Sequence, residues 1–217
     1  MVSERIERFI RTLPDPQGAK IFLERLQEEA PKQAALCTKN EELCANLLLL
    51  ASYSPLLAES CLQHPDYINW LERERDIAKM KSKEELVEEL ARFSAVNSTL
   101  SDSVVLARFK RRELLRIYLR DCKKLATMSE TTEELSILAD AMLERTLQKA
   151  YQPLLQRYGQ PTTQEQGRLT NAEMAIVALG KLGSRELNYS SDIDLVFIYS
   201  GDGETTGKST GAVESTT

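Results

Sequence analysis

Apolar side chains recur every three or four positions from residue 3 to about residue 158, which is the spacing of amphipathic helices. A longer helix is predicted over residues 102–126, and another from about Thr132. Short connections between these helices favour antiparallel neighbours in a bundle. The clearest apolar positions are Leu43, Leu47, Leu48 and Ala51 in one helix, and Leu135, Leu138, Met142, Leu147, Tyr151 and Leu154 in the last one.

Helix starts are marked by local signals. Ser54 precedes Pro55, the order expected of an N-cap residue followed by proline at the first helical position. Ser82 and Glu85 have the spacing of a capping box. Pro153 is predicted to kink the end of the last helix, because proline lacks the backbone donor that the helix needs there.

The pattern changes over residues 159–167, which are polar, contain two glycines and one proline, and have no apolar period. We place a domain boundary there, with a helical bundle over residues 1–160 and a second part over residues 161–217. In the second part, residues 174–179 and 193–199 read as short buried strands joined by a loop rich in Gly, Ser and Asn. A flexible tail is expected from about residue 201. The predicted fold class is mainly α with a small α/β part.

Composition excludes several classes of protein. The 217 residues include 28 Lys plus Arg and 33 Asp plus Glu, a formal charge of −5, with 42% hydrophobic residues. These values are typical of a globular protein and not of a disordered chain. The longest apolar run, over residues 47–51, is far shorter than the ~20 residues of a membrane span. With no signal-peptide pattern at its start, the chain is expected in the cytoplasm.

The cysteines and the single histidine lack the spacing of a zinc site. We therefore expect reduced core cysteines, and a turn or helix-start role for His64, which precedes Pro65. The cysteines are Cys37, Cys44, Cys61 and Cys122.

Candidate chemistry is concentrated in residues 179–197. If residues 193–199 form a strand, alternation places Asp192 and Asp194 on one face, with Ile193 and Leu195 toward the core. Two such carboxylates can hold Mg²⁺ for phosphoryl chemistry. A glycine turn at Gly183 and Ser184 would let backbone N–H groups approach a phosphate. Asp-x-Asp alone is weak evidence, since it also occurs in metal-dependent glycosyltransferases and in half-solvated strands.

The longer string, G-K-L-G-S-R-E-L-N-Y-S-S-D-I-D-L at residues 180–195, is more specific. A glycine and serine separated by seven residues from Asp-Ile-Asp-Leu resemble the signature of the DNA polymerase beta superfamily of nucleotidyltransferases. The whole string resembles the glutamine synthetase adenylyltransferase family, bifunctional enzymes that attach AMP to a tyrosine of glutamine synthetase and remove it. Residues 54–71 and 108–121 resemble the helical region before that family's first catalytic domain.

This resemblance implies roles for particular residues. Gly183 and Ser184 would lie at the phosphates, and Asp192 and Asp194 would be catalytic Mg²⁺ ligands. The family's third acidic ligand, in an Arg-x-Asp-x-Arg context, has no counterpart before Thr217, which implies an incomplete metal site.

The start at Met1 and the helical part favour the N-terminal, deadenylylating half. ATP, ADP or phosphate would be substrates. Glutamine synthetase and the PII signalling protein would be partners, with no role for nucleic acid or membranes.

Two other functions remain open. The chain could be a non-catalytic helical module that binds glutamine synthetase or PII, or part of a nucleotidyltransferase with another substrate. An Arg-x-Asp-x-Arg segment after residue 217, followed by a second G-K-L-G-like copy, would favour the bifunctional enzyme over both.

A basic stripe needs its own interpretation. Arg108, Arg112, Arg116 and Arg120 follow one another at intervals of four, with Lys123 beside them. Because the chain is acidic and no aromatic residues alternate with the arginines, we expect a solvated face, or a surface facing acidic protein or nucleotide phosphate, and not a nucleic-acid site.

Overall fold

A computed structural model describes residues 3–74, 77–165 and 167–207 of the chain. In these ranges the structure is mainly helical with a small strand part, as the sequence predicted. The helices are α1 (Glu4–Thr12), α2 (Pro16–Glu29), α3 (Pro31–Lys39), α4 (Glu41–Tyr53), α5 (Pro55–Gln63), α6 (Asp66–Arg73), α7 (Lys83–Val96), α8 (Asp102–Cys122), α9 (Met128–Tyr158) and α10 (Gly180–Gly183). The strands are β1 (Pro161–Glu165), β2 (Arg168–Asn171), β3 (Met174–Leu179), β4 (Asp194–Tyr199) and β5 (Gly203–Thr205). Among the described helices, none is long and apolar enough to cross a membrane.

The two predicted helix starts are confirmed. The Ser54 hydroxyl accepts a hydrogen bond from Leu57 N, and Pro55 is the first residue of α5. Ser82 and Glu85 form the capping box of α7, in which each side chain accepts from the backbone N–H of the other residue. These contacts satisfy donors that the first helical turn leaves without a partner.

The bounds of the two long helices differ slightly from those predicted. Helix α9 begins at Met128 and not near Thr132, because Thr127 and Glu130 form a second capping box. Helix α8 ends at Cys122 instead of continuing to residue 126, and Lys124 just beyond it has a positive φ of 57°. Such a left-handed residue ends a helix, since its backbone leaves the helical path.

The buried apolar side chains form two clusters. The first comes from α1 to α6 together with Leu115 and Leu119 of α8. The second comes from α7, α8 and α9 together with Leu182 of α10 and Leu187. Helix α8 therefore lies between both clusters, and the second cluster contains residues from both sides of residue 160. Burial of each leucine contributes about 1.5 to 3 kcal/mol, so Leu182 and Leu187 join the glycine turn and the chain after it to the helices.

The expectation of a solvated basic stripe on α8 is wrong. Arg116 is completely buried, and its guanidinium reaches Glu134 Oε1 at 2.7 Å, Glu113 Oε2 at 3.1 Å and the carbonyl oxygen of Lys79 at 3.1 Å. Arg120 is 4% exposed and donates to Glu134 Oε2 at 3.1 Å. These arginines hold helices together and are not available to a phosphate at the surface.

Arg112, near the start of the basic stripe, belongs to the same network. Arg112 is 8% exposed, donates to Glu113 and Glu89, and lies 4.6 Å from the centre of the Trp70 ring. Lys81 adds a further cation beside Glu113. Burial alone would raise the pKa of the Glu113 carboxyl, but Lys81, Arg112 and the rest of the arginine network outweigh it and hold that pKa below its usual value.

The outer ends of the stripe are less buried. Arg108 donates to Asp66 Oδ2 at 2.9 Å, and Lys123 donates to Glu42 Oε1 at 3.3 Å. Both cations are therefore paired with acidic side chains of neighbouring helices.

Three of the four cysteines, Cys37, Cys44 and Cys61, are buried, and all four are free thiols. This confirms the core role predicted for those three, whereas Cys122 is half-buried. His64 lies in the turn between α5 and α6, where its carbonyl oxygen accepts from Tyr67 N. The predicted turn role of His64 is confirmed.

The polar segment at the predicted boundary contains a strand. β1 pairs antiparallel with both β2 and β5. The expected loop from residue 201 is therefore wrong for residues 203–205, and residues 208–217 lie outside the described part of the chain. The Thr162 and Thr163 hydroxyls donate to the carbonyl oxygens of Glu204 and Asp202 at 2.8 and 3.0 Å. Backbone and threonine hydrogen bonds hold this sheet together. Its strands therefore lack the alternation of apolar residues from which a strand is predicted.

Strands β3 and β4 lie close to their predicted bounds and pair antiparallel. The expectation that they are buried is wrong, since Phe197 and Tyr199 are 61% and 63% exposed. Ala178 and Leu195 are paired in register and pack on the second cluster. Phe197 and Tyr199 lie on the same face of β4 by strand alternation, but further along the strand, where their side chains are exposed. The described helices therefore cover only the end of this strand pair that carries Ala178 and Leu195.

We expect weaker amide protection in this strand pair than in the helices, because two strands alone are only marginally stable. Hydrogen exchange of residues 193–199 should be faster than that of residues 114–122, which lie in α8 between the two clusters. Equal, strong protection in both segments would contradict this expectation.

Candidate functional site

A glycine turn follows β3. Gly180 has φ = +56°, a left-handed conformation that residues with a side chain rarely adopt. A Cβ atom at Gly183 would lie 2.5 Å from the carbonyl oxygen of Ala178, so only glycine fits this close approach. The Ser184 hydroxyl donates to the carbonyl oxygens of Gly180 and Lys181 at 3.2 and 3.4 Å and to Glu186 Oε2 at 3.3 Å. The turn therefore holds its own serine hydroxyl at an exposed position.

Asp194 lies beside this turn. It is the first residue of β4 and pairs in register with Leu179, the last residue of β3. A Cβ atom on Gly180 would lie 3.7 Å from Asp194 Oδ2, so the carboxylate borders the first glycine of the turn. The structure thus brings one predicted metal ligand next to the predicted phosphate-binding turn.

Asp192 lies two residues before the start of β4, outside any helix or strand. Because β4 begins at Asp194, strand alternation does not extend to Asp192, and the shared strand face stays a prediction. Ile193, which was expected to face the core, is 40% exposed, which corrects that expectation. Leu195 packs on the second cluster as expected, so Asp194 lies on the face of β4 opposite the helices.

The carboxylate oxygens of Asp192 and Asp194 are suitable ligands for a hard cation, but they are few. In the part of the chain that the structure describes, the carboxylates of Asp192 and Asp194 accept no hydrogen bond and form no ion pair, and both residues are exposed. Oxygen ligands of this kind are those that Mg²⁺ takes. The described residues include no group of three or more His, Cys, Asp or Glu side chains arranged to hold a metal ion. Asp194 therefore offers an oxygen ligand of the kind that Mg²⁺ takes beside the turn, and a site shared with Asp192 stays a prediction.

The segment between the turn and the aspartates is anchored to α9 by a residue that the sequence analysis missed. Arg185 has φ = 63°, and its Nη2 and Nε atoms donate to Glu133 at 2.7 to 3.2 Å. Its Nη1 donates to Asp140. The hydrogen bond to Glu133 is the main cause of the raised pKa of the Arg185 guanidinium, and in return it lowers the pKa of Glu133.

Two further contacts hold the segment. Leu187 is buried, and its N–H donates to Ser136 Oγ of α9 at 3.4 Å. The Tyr189 hydroxyl donates to Asp121 Oδ2 of α8 at 3.1 Å. Burial, together with the nearby Asp121 carboxylate, raises the pKa of the Tyr189 hydroxyl, so it stays a proton donor at neutral pH.

A cavity of about 270 Å³ lies between this segment and the helices. One wall consists of apolar side chains of α8 and α9, and the other is the chain from Leu187 to Ile193. The segment before Asp194 therefore spans a partly empty space and depends on its polar anchors for its position.

The chain is similar to known adenylyltransferases over most of its length. The family model for glutamate-ammonia ligase adenylyltransferase matches residues 44–216. The bifunctional glutamine synthetase adenylyltransferase/adenylyl-removing enzyme of Nitrosococcus oceani is 33% identical over 186 residues, which is 85% of this chain and 19% of that protein. The enzyme of the same description from Shewanella loihica is 31% identical over 192 residues, 88% of this chain and 19% of its own length.

A shorter match covers part of the chain at higher identity. The corresponding protein of Thioalkalivibrio sulfidiphilus is 38% identical over 122 residues, 54% of this chain and 12% of its own. The chain belongs to the glutamate-ammonia ligase adenylyltransferase family. It spans about a fifth of the length of the first two relatives.

Proposed function

We propose that this chain is the helical region and the opening of a nucleotidyltransferase domain in a longer enzyme that controls glutamine synthetase by reversible tyrosine adenylylation. The single observation that carries the proposal is the place of Asp194, whose carboxylate borders the glycine turn at Gly180 and has no partner in the part of the chain that the structure describes. A metal-bound phosphoryl group needs these two features side by side. The division into a bundle over residues 1–160 and a catalytic opening over residues 161–217 is part of this proposal.

Asp192 and Asp194 would hold Mg²⁺, which when bound supplies positive charge that stabilises the transferring phosphoryl group. Backbone N–H groups of the glycine turn would bind phosphate oxygens. Gly183 lets the turn lie against the carbonyl oxygen of Ala178, which a Cβ atom would approach to 2.5 Å. The Ser184 hydroxyl already donates to oxygen atoms of its own turn and would donate to a phosphate oxygen in their place.

We propose the deadenylylating direction for this half. Inorganic phosphate would attack the adenylyl phosphorus of the modified tyrosine, the bond from phosphorus to the tyrosine oxygen would break, and ADP and unmodified glutamine synthetase would be released. The opposite reaction, transfer of AMP from ATP to the tyrosine, needs the same arrangement of charge. The PII protein as a second partner and a cytoplasmic location complete the proposal.

The function is tested by comparing the longer protein with the isolated chain. With adenylylated glutamine synthetase, phosphate and Mg²⁺, we expect ADP release from the longer protein and none from residues 1–217, because two carboxylates leave the metal site open on one side. Chromatographic measurement of ADP decides the outcome.

Each alternative gives a different result in that assay. Metal-dependent ADP release by the isolated chain that disappears in Asp192→Asn would show that the site is complete. A longer protein that binds glutamine synthetase without changing it would instead indicate a binding module. Transfer of AMP to another acceptor would indicate a different nucleotidyltransferase.

A further inference from the structure

We propose that Arg185 is a positioning residue for the candidate site. The proposal rests on the proposed function. Arg185 directly follows Ser184 and begins the segment that leads to Asp192 and Asp194. Its guanidinium is directed to α9 and, within the described residues, forms no hydrogen bond or ion pair with the turn or the aspartates.

The backbone of Arg185 supports this role. Its φ of 63° lies in the left-handed region, where residues other than glycine, asparagine and aspartate are uncommon. Such a conformation persists only where surrounding contacts hold it. Two backbone hydrogen bonds close the turn around Arg185, from its own N–H to the Leu182 carbonyl oxygen at 3.1 Å and from Glu186 N to the Lys181 carbonyl oxygen at 2.7 Å. The guanidinium adds bonds to Glu133 and Asp140 of α9, which join this turn to the helix.

The geometry of the ion pair is specific. Arg185 Nε donates to Glu133 Oε1 at 3.2 Å and to Oε2 at 3.1 Å, and Nη2 donates to Oε1 at 2.7 Å. A planar guanidinium can bind two carboxylates in this way, whereas a lysine ammonium cannot reproduce the geometry. The bonds therefore fix the direction in which the chain leaves the glycine turn.

The cavity behind the segment makes this anchor important. Residues of the segment from Leu187 to Ile193 form a wall of the 270 Å³ space, so packing alone holds them loosely. The other anchors are the buried Leu187 and the bond from Tyr189 to Asp121. Without Arg185, the middle of the segment would change its position, and the distance between the turn and Asp192 would vary.

The test uses the longer protein with Arg185→Ala, assayed for ADP release from adenylylated glutamine synthetase. We expect kcat to fall about 10- to 100-fold, since small displacements of reacting groups cost that much, while KM for the protein substrate changes less than about twofold. We expect Arg185→Lys to recover little of this loss. In the 217-residue chain, hydrogen exchange of residues 187–191 should accelerate in Arg185→Ala, with that of residues 114–122 unchanged.

Arg25→Ala is the matched control. Arg25 also binds two carboxylates, Glu29 and Glu59, with similar exposure, but it lies in the helical part far along the chain from the turn. It should leave kcat unchanged. Glu133→Gln should lower kcat like Arg185→Ala. The double variant should have a kcat no lower than that of Arg185→Ala alone, because both changes remove the same ion pair.

The outcomes separate this inference from the proposed function. If Asp194→Asn abolishes ADP release but neither Arg185→Ala nor Glu133→Gln lowers kcat, Arg185 has no positioning role. If Arg185→Ala and Arg25→Ala lower kcat equally, the effect is general destabilisation and the inference is also overturned. If Asp194→Asn changes no activity, the proposed function itself is wrong. Should Arg185→Ala fail to fold, Glu133→Gln decides the question.

Discussion

In the longer enzyme, Asp194→Asn should lower kcat for ADP release at least ~10²-fold, the usual effect of removing one group that stabilises charge in the transition state. The substitution keeps the size of the side chain and removes its charge. Because Asp194 is exposed and its carboxylate has no partner among the described residues, the free energy of unfolding should change by less than about 0.5 kcal/mol. Deadenylylation should be lost and adenylylation retained, and both are measured on the same preparation.

Glu173→Gln is the control for this prediction. Glu173 is another exposed carboxylate, and it lies just before β3, at the end of the strand pair away from Asp194. Its removal should leave both activities unchanged. Loss of adenylylation alone in Asp194→Asn would place this chain in the other half of the enzyme. Loss of neither activity would make Asp194 an ordinary surface residue of an alternating strand.

Arg116→Met should destabilise the chain by about 3 to 5 kcal/mol, the cost of breaking a buried ion pair by removing one partner. Methionine fills much of the space, but it leaves Glu113 with fewer cations and the Lys79 carbonyl oxygen without the Arg116 donor. Glu134 keeps Arg120 and the backbone N–H of Lys81, which limits the loss. Urea unfolding followed by circular dichroism measures the change.

Arg92→Met is the control for that measurement. Arg92 forms an ion pair with Glu88 in which both side chains are more than 60% exposed. Exposed pairs contribute at most about 1 kcal/mol, so Arg92→Met should cause a small change. Similar losses in the two variants would contradict the burial of the arginine network.

The helices, two of their caps and the bounds of β3 and β4 could be predicted because each depends on nearby residues. Ser82 and Glu85 are three positions apart, and the apolar run of residues 174–179 is contained in six residues. The site residues were suggested by short spacing as well, and the nearness of Asp194 to Gly180 follows from one antiparallel register.

Other features depend on residues distant in the chain. The burial of Arg116 requires Glu134 and the carbonyl oxygen of Lys79, which lie 18 and 37 residues away. In sequence, a stripe of four arginines is the same whether it faces water or acidic side chains of other helices. Arg185 was missed for the same reason, since Glu133 is 52 residues distant.

The second cluster has a consequence for any rearrangement of the gene. Leu182 and Leu187 are 2% and 7% exposed and complete the apolar interior formed by α7, α8 and α9. A protein cut at residue 160 would leave that interior open to water, and the remaining piece would have no interior of its own. Recombination that keeps this interior therefore has to move α7 through α9 together with the glycine turn, so the turn and these helices are inherited as one unit.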